Sequence, residues 1–188
     1  MFALLSRLRH VRRWGLMRGE AENVLEHAAF TAMIAHHLGV LHRQAGGKLD
    51  PERLATLALF HDAPEVLTGD LPTPVKYASP ELKASYKALE RDAADRLVGT
   101  LEPNLQPVYR DLLDGGSETE KGLVKAADKL SAYLKCVEER HAGNKDFADA
   151  ERSLRAQLDT LGLPEVEAFL SRYEDDFGQT LDELTGSR

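Results

Sequence analysis

Residues 61–74 read HDAPEVLTGDLPTP. His61, Asp62 and Glu65 fall within five positions, ahead of a Gly69-Asp70 turn and two further prolines. Just before them, Leu54, Leu57, Ala58 and Phe60 recur at three- and four-residue spacing, which puts them on one face of a helix. Pro64 ends that helix. Proline disfavours helical geometry in the residue before it and has no N–H for an interior hydrogen bond, so the break falls near His61-Asp62. Neighbours on an intact helix point about 100° apart, and only at such an end can two adjacent side chains turn towards one point. A short turn over 64–67 is expected next, and Pro72 and Pro74 are expected to keep the following stretch from being helical.

The same periodicity runs through the rest of the chain, while sustained β alternation is nearly absent, so the expected fold class is all-α. Helices are expected over about 2–12, with a break at 15–19, and over 22–44, closed by Gly46-Gly47. Asp50-Pro51 launches 52–61, an acceptor at the N-cap followed by proline at the first helical position. Ser79-Pro80 repeats that arrangement and starts a helix to about 100, with Leu82, Tyr86, Leu89, Ala93 and Leu97 as its apolar stripe. A segment at 106–114 follows. Ser117 and Glu120 have capping-box spacing and open a helix to about 142, with Leu123, Ala127, Leu130, Leu134 and Val137 inward. Helices at 145–161 and 164–184 complete the chain. No repeat or long linker divides it, so 1–188 is expected to form one domain.

Composition narrows the function classes. With 188 residues, 43% hydrophobic and 29% charged, the chain can bury a core. A net charge of −7 argues against polymeric nucleic acid as a partner, because such binding needs clustered Lys and Arg against phosphates. Arg7, Arg9, His10, Arg12, Arg13 and Arg18 nevertheless make the first eighteen residues locally basic, enough to meet a small anion or to form an exposed basic helix. No apolar run reaches the roughly 18–20 residues of a membrane span, and the N-terminus does not read as a signal peptide, so a cytoplasmic protein without a membrane is expected. The single Cys136 lies between Leu134 and Val137 and reads as a buried, inert thiol.

Two residues outside 61–74 matter most. His27, in ENVLEHA, sits among Ala28, Ala29 and Ile34, where an uncharged core histidine is the ordinary reading. Asp128, in KAADKL, lies one position from the apolar stripe of its helix, where an unpaired carboxylate is costly to bury. A shared metal would satisfy both, together with His61-Asp62. Two imidazoles and two carboxylates suit a borderline divalent ion such as Mn, Fe, Co, Ni or Zn.

The order H…HD…D, carried by His27, His61-Asp62 and Asp128, resembles the HD-domain phosphohydrolases, an all-α superfamily. The strings RRWGLMR, ENVLEHA, HDAPEVLTGDLPTPVKY, KAADKLSAYLKCVEE and the following AGN are similar to the bacterial YfbR-like 5′-deoxynucleotidases. That resemblance implies an HD-domain helical bundle with a metal site in a central cleft. It also implies hydrolysis of deoxyribonucleoside 5′-monophosphates, one divalent ion such as Co or Mn, and a homodimer. It implies His27, His61, Asp62 and Asp128 as metal ligands, with His27, Asp62 and Asp128 also lining the substrate site. Glu65 is similar to the residue that handles the proton of the attacking water; its lesser reading is a first-turn acid of the short helix after Pro64. By the same resemblance Arg13 orients the phosphate and Trp14 crowds the 2′ position of the sugar; Trp14 alone would also read as a core residue. Asp70, Leu71, Pro72 and Thr73 match a substrate-contacting stretch, or a rigid connector to Ser79.

Lys76 is read as a surface lysine, and His36, His37, His42 and His141 as surface or packing residues. Gly15 and Pro64 stand where relatives can carry proline and serine, which bears on loop geometry and not on the ligands. Two other readings stay open here: an HD phosphohydrolase for a cyclic nucleotide, nucleoside triphosphate or alarmone, and a non-catalytic nucleotide sensor.

Overall fold

Local chemistry decides where most helices start. The computed structural model describes residues 1–76 and 78–186; Tyr77, the last residue of one quoted string, and residues 187–188 lie outside them. α1 (Phe2–Leu5) tightens into a 3₁₀ turn, Ser6–His10, instead of running on to residue 12. Ser6 Oγ donates to the Ala3 carbonyl and Arg9 Nε to the Ser6 carbonyl, taking acceptors that a longer α-helix would use. α2 (Val24–Gln44) starts later than residue 22, at a capping box: Asn23 accepts from the Glu26 amide, and Glu26 reaches back to the Asn23 amide.

α3 (Pro51–Phe60) is capped by Asp50 and stops at His61, as the proline demanded. α4 (Glu65–Thr68) ends at Gly69, whose φ of 73° favours glycine. α5 (Thr73–Lys76) corrects an expectation, for one helical turn forms where the prolines were expected to prevent it. Pro74 lies in that first turn, where a missing N–H costs nothing, and the Pro72 carbonyl accepts from Val75 and Lys76. α6 (Pro80–Val98) and α8 (Glu118–His141) are capped by Ser79 and Ser117, with α7 (Gln106–Asp114) between them.

α9 (Ala148–Leu161) is entered through a 3₁₀ turn, Lys145–Phe147. The expected single helix over 164–184 is in fact α10 (Pro164–Tyr173), a 3₁₀ turn, Glu174–Gly178, and α11 (Leu181–Thr185). Arg155 and Tyr133 hold the Glu174 carboxylate, Gly178 presses against the His141 ring, and Thr180 opens α11 with its own capping box to Glu183. Periodicity cannot register such contacts.

α2, α3 and α8 meet along Ile34, Ala35 and Leu38, Leu54 and Ala58, and Leu123, Ala127, Leu130 and Leu134, closed over by Leu158, Val166 and Phe169. Fully burying one such leucine contributes about 1.5–3 kcal/mol. All five inward positions expected on α8 are buried, whereas Leu82 and Leu89 on α6 are exposed, because α6 bears chiefly on α4, α5 and α7 and not on this core. By length and composition α2 could span a bilayer, which corrects the reading of apolar runs. In the fold it is instead a core helix, with His27, Thr31 and Leu38 fully buried.

Gly39 lets α2 and α3 approach: a Cβ there would lie 3.0 Å from Pro51 Cα and 3.3 Å from Leu54 Cδ2. Gly39→Ala is expected to be near neutral, since about 1 kcal/mol of helix propensity offsets the squeeze. Gly39→Leu should lower the unfolding free energy by about 1–3 kcal/mol in urea denaturation.

Candidate active site

Three helices deliver four side chains to one place. His27 lies in α2, His61 and Asp62 on the turn closing α3, and Asp128 in α8. His27 Nε2 is 3.0 Å from Asp128 Oδ1 and 3.8 Å from Asp62 Oδ2. His61 Nε2 is 3.1 Å from Asp62 Oδ2 and 3.8 Å from Asp128 Oδ1. Ligand atoms of His27, His61 and Asp128 all lie within 4.8 Å of one another, a cluster consistent with a divalent metal site. An apolar hollow of about 430 Å³ near Phe30, His37 and Tyr173 shares no residue with it.

The far sides of the imidazoles decide the fit. His61 Nδ1 donates to the Ala58 carbonyl at 2.6 Å, and since a carbonyl only accepts, this nitrogen carries the proton. Nε2 therefore faces the carboxylates, and although Asp62 Oδ2 is near, it is buried without a hydrogen bond of acceptable geometry among the described residues. His27 is completely buried, with Nδ1 3.1 Å from Ser131 Oγ. A buried imidazole nitrogen aimed at two carboxylates is what a cation would complete.

The field agrees. Burial opposes the charges of Asp62 and Asp128, yet both carboxyls are held below the ordinary range, Asp128 well below, because His61 and His27 face them. Burial likewise opposes an imidazolium at His61, yet Asp62 and Asp128 hold its pKa well above the ordinary value.

Arg13 reaches this centre from a separate arm. Arg12 and Asn23 form an isolated antiparallel bridge, and the Arg13 amide donates to the Glu22 carbonyl at 3.0 Å. Arg13 Nη1 comes within 3.4 Å of Asp62 Oδ2, and Nε donates to Glu22 Oε2 at 3.1 Å. Burial opposes the guanidinium charge, but Asp62, Asp128, Glu22 and Asp70 outweigh it and raise its pKa. Trp14 adopts a left-handed φ of 57°, which costs a bulky residue about 1–2 kcal/mol. Its Nε1 donates to Glu22 Oε2 at 3.0 Å, and its ring packs on Phe147 at 5.2 Å.

The far end of this arm is tied to α8. The buried Glu139 accepts from the Glu20 amide at 2.9 Å, from Lys135 at 2.7 Å and from Asn144 at 2.8 Å, and Asn144 also donates to the Arg18 carbonyl. A Cβ on Gly19 would lie 2.9 Å from both Glu139 Oε2 and Phe147 Cε2, so glycine lets the arm approach without displacing either. Sequence reading missed both glutamates and Ser131. Glu22 had a usable signal, because a residue just ahead of the Asn23…Glu26 capping box must lie outside the helix.

Glu65 is buried, its Oε2 has no hydrogen-bond partner among the described residues, and its amide donates to the Asp62 carbonyl at 3.0 Å. Burial, with repulsion from Asp62 and Asp70, pushes its carboxyl up to about 9 against the pull of Arg13 and Lys76. Burial also raises Asp70, opposed by Arg13. Leu71 and Pro72 are half-buried and Thr73 is exposed; among the described residues none of the three hydrogen-bonds to the cluster.

Lys76 is less free than expected, lying 4.6 Å over the Tyr86 ring and 2.9 Å from Glu90. Tyr86 in turn holds the Gly69 carbonyl at 2.8 Å. Cys136 is buried, and burial, with Glu151, pushes its thiol up to about 12. His36 and His141 are exposed, His37 packs against Phe169 and Tyr173, and His42 pairs with Glu165, all away from the cluster.

Comparison with known proteins agrees with this geometry. The family model described as 5′-deoxynucleotidase YfbR-like matches residues 1–177. A 5′-deoxynucleotidase of Yersinia pestis (strain Pestoides F) is 46% identical over 188 residues, covering 98% of this chain and 95% of the relative. A solved HD-domain phosphohydrolase from Listeria innocua superposes with a TM-score of 0.81 at 27% identity, over 94% of this chain and 87% of its own. The HD phosphohydrolase of cyanophage S-2L superposes with a TM-score of 0.67 over 96% and 98%, which at 23% identity speaks to the fold alone.

Removing the Ser131 hydroxyl should free the His27 ring without touching a ligand atom. Ser131→Ala is expected to weaken Co(II) or Mn(II) binding about 10-fold or more, measured by competition with a chelating dye.

Proposed function

The chain belongs to the YfbR-like 5′-deoxynucleotidase family, and on that footing we propose that it is a metal-dependent phosphomonoesterase hydrolysing deoxyribonucleoside 5′-monophosphates to deoxynucleoside and phosphate. The observation that carries the reading is the meeting of His27, His61, Asp62 and Asp128 beside the Arg13 guanidinium, with His61 Nε2 buried and unbonded. Those four side chains would hold one divalent ion, Co, Mn or another transition metal, as their mixed nitrogen and oxygen donors suit. Such an ion supplies Lewis acidity at the phosphate and lowers the pKa of a water in its field.

The protein's own groups do the rest. Arg13, with Nε engaged by Glu22, offers the remaining edge of its guanidinium to phosphoryl oxygens, a fork that orients the group and balances its charge in the transition state. Glu65 is a buried carboxyl one turn from His61. A cation held by the four ligands would offset the repulsion from Asp62 and favour the ionised form of Glu65, which would take the proton of the attacking water and return it to the ester oxygen as that leaves. Trp14 crowds the sugar so that a 2′-hydroxyl is disfavoured, while Asp70, Leu71, Pro72 and Thr73 line the nucleoside side. Lys76 biases the field around Glu65. Phosphate monoesters are among the slowest substrates in water, so an arginine, an acid-base and a cation together match the barrier.

We read residues 1–188 as one domain acting as a cytoplasmic homodimer. The inert Cys136 suits a reducing compartment. An apolar patch where Phe2 and Phe60 meet Tyr109, with Val108 exposed beside it, suits a second copy.

The test is phosphate release from dAMP, AMP and 3′-dAMP by chelator-stripped protein given Co, Mn, Mg or Zn separately. dAMP should be hydrolysed fastest and 3′-dAMP not at all. Glu65→Gln should lower kcat by about a hundred- to ten-thousand-fold, and Asp62→Ala should abolish turnover. Equal rates on AMP and dAMP would remove the role given to Trp14. Binding of dAMP without release under any metal would make the protein a sensor.

A further inference from the structure

We infer that Glu22 is the positioning residue for both recognition side chains, holding Arg13 and Trp14 through a single carboxylate oxygen. The inference rests on the reading of Arg13 and Trp14 given above. Oε2 accepts from Arg13 Nε at 3.1 Å and from Trp14 Nε1 at 3.0 Å, and the Glu22 carbonyl accepts from the Arg13 amide at 3.0 Å. One residue thus fixes the arm at the backbone and at two side chains.

Two features show that this contact constrains the arm. Trp14 has a left-handed backbone, which a bulky residue keeps only where its surroundings over-determine it. What holds it there is the Glu22 bond on one edge of the indole and the Phe147 ring against its face. The Glu22–Arg13 pair is also poorly solvated, with side-chain exposures of 15% and 12%, so its charge-assisted bond is little weakened by water.

Glu22 also settles which edge of the guanidinium is available. With Nε held on the Glu22 side, Nη1 is the atom that comes to Asp62 at the ligand cluster. A phosphate meeting that edge and a sugar meeting the indole are therefore placed by one anchor. Affinity for the phosphate and discrimination at the sugar become linked, because the two side chains cannot shift independently.

Trp14 is the chain's one tryptophan, so its fluorescence reports this contact without any substrate. The experiment compares wild type with Glu22→Ala, Glu22→Gln and, as a control on the same arm, Glu20→Ala. Acrylamide quenching and steady-state kinetics on dAMP and AMP are measured in the metal-loaded enzyme, with melting temperature as a check on folding. Glu22→Ala should make the indole more readily quenched, raise KM for dAMP about 10- to 100-fold, and lower the dAMP-to-AMP ratio of kcat/KM by a similar factor. Glu22→Gln keeps an acceptor but not the charge. It should retain most of the selectivity and the shielded indole while KM stays raised, a split that general loosening would not produce.

Glu20→Ala should match wild type. Unchanged quenching in Glu22→Ala, or a fall in kcat with KM and selectivity unaltered, would overturn the inference. If wild type releases no phosphate from dAMP with any metal, the functional reading fails, and quenching alone decides the role of Glu22.

Discussion

The bond from His61 Nδ1 to the Ala58 carbonyl, at 2.6 Å, is the contact on which the site depends. It exists because α3 stops. Where the helix ends, the Ala58 carbonyl is left with a long bond from the His61 amide, at 3.4 Å, and the imidazole that also donates to it becomes fixed in direction. Its other nitrogen is then aimed at Asp62 and Asp128. Without the break ahead of Pro64, His61 and Asp62 would diverge around a helix and could not address one point.

Burial turns that geometry into chemistry. The carboxyls of Asp62 and Asp128 stay below their ordinary range although burial opposes their charge, and the neighbouring Glu65 is driven the other way, up to about 9. The difference lies in partners: imidazoles face the first two, while Glu65 meets repulsion from Asp62 and Asp70 and has an oxygen unbonded among the described residues. One small volume thus holds carboxylates suited to a cation beside a carboxyl suited to carrying a proton.

Much of this was legible in the chain. Pro64, Asp50-Pro51, Ser79-Pro80 and the Ser117 capping box set helix boundaries through strictly local effects, and the apolar spacing of α8 identified its buried face. Local signals failed where distant residues intervened. The last helix is broken because Glu174 is drawn to Arg155 and Gly178 lies against His141, and Pro74 sits in a turn of helix because its position there needs no N–H. His27 and Asp128 could be nominated from apolar surroundings, and the capping box after Glu22 put that residue outside the helix, but Ser131 and Glu139 could not be ranked above other polar residues of α8.

The sequence by itself determined an all-α chain, the place where α3 ends, and a set of residues whose chemistry suits a divalent ion and a phosphate. Those properties follow from proline, caps and periodicity, which act within a few positions. Only the tertiary structure decided that His27 and Asp128 face each other at 3.0 Å, and that one oxygen of Glu22 receives both Arg13 and Trp14. These pairings depend on how α2, α3 and α8 pack and on how the N-terminal arm is anchored. Packing is a property of the whole core, so no single stretch of sequence contains it.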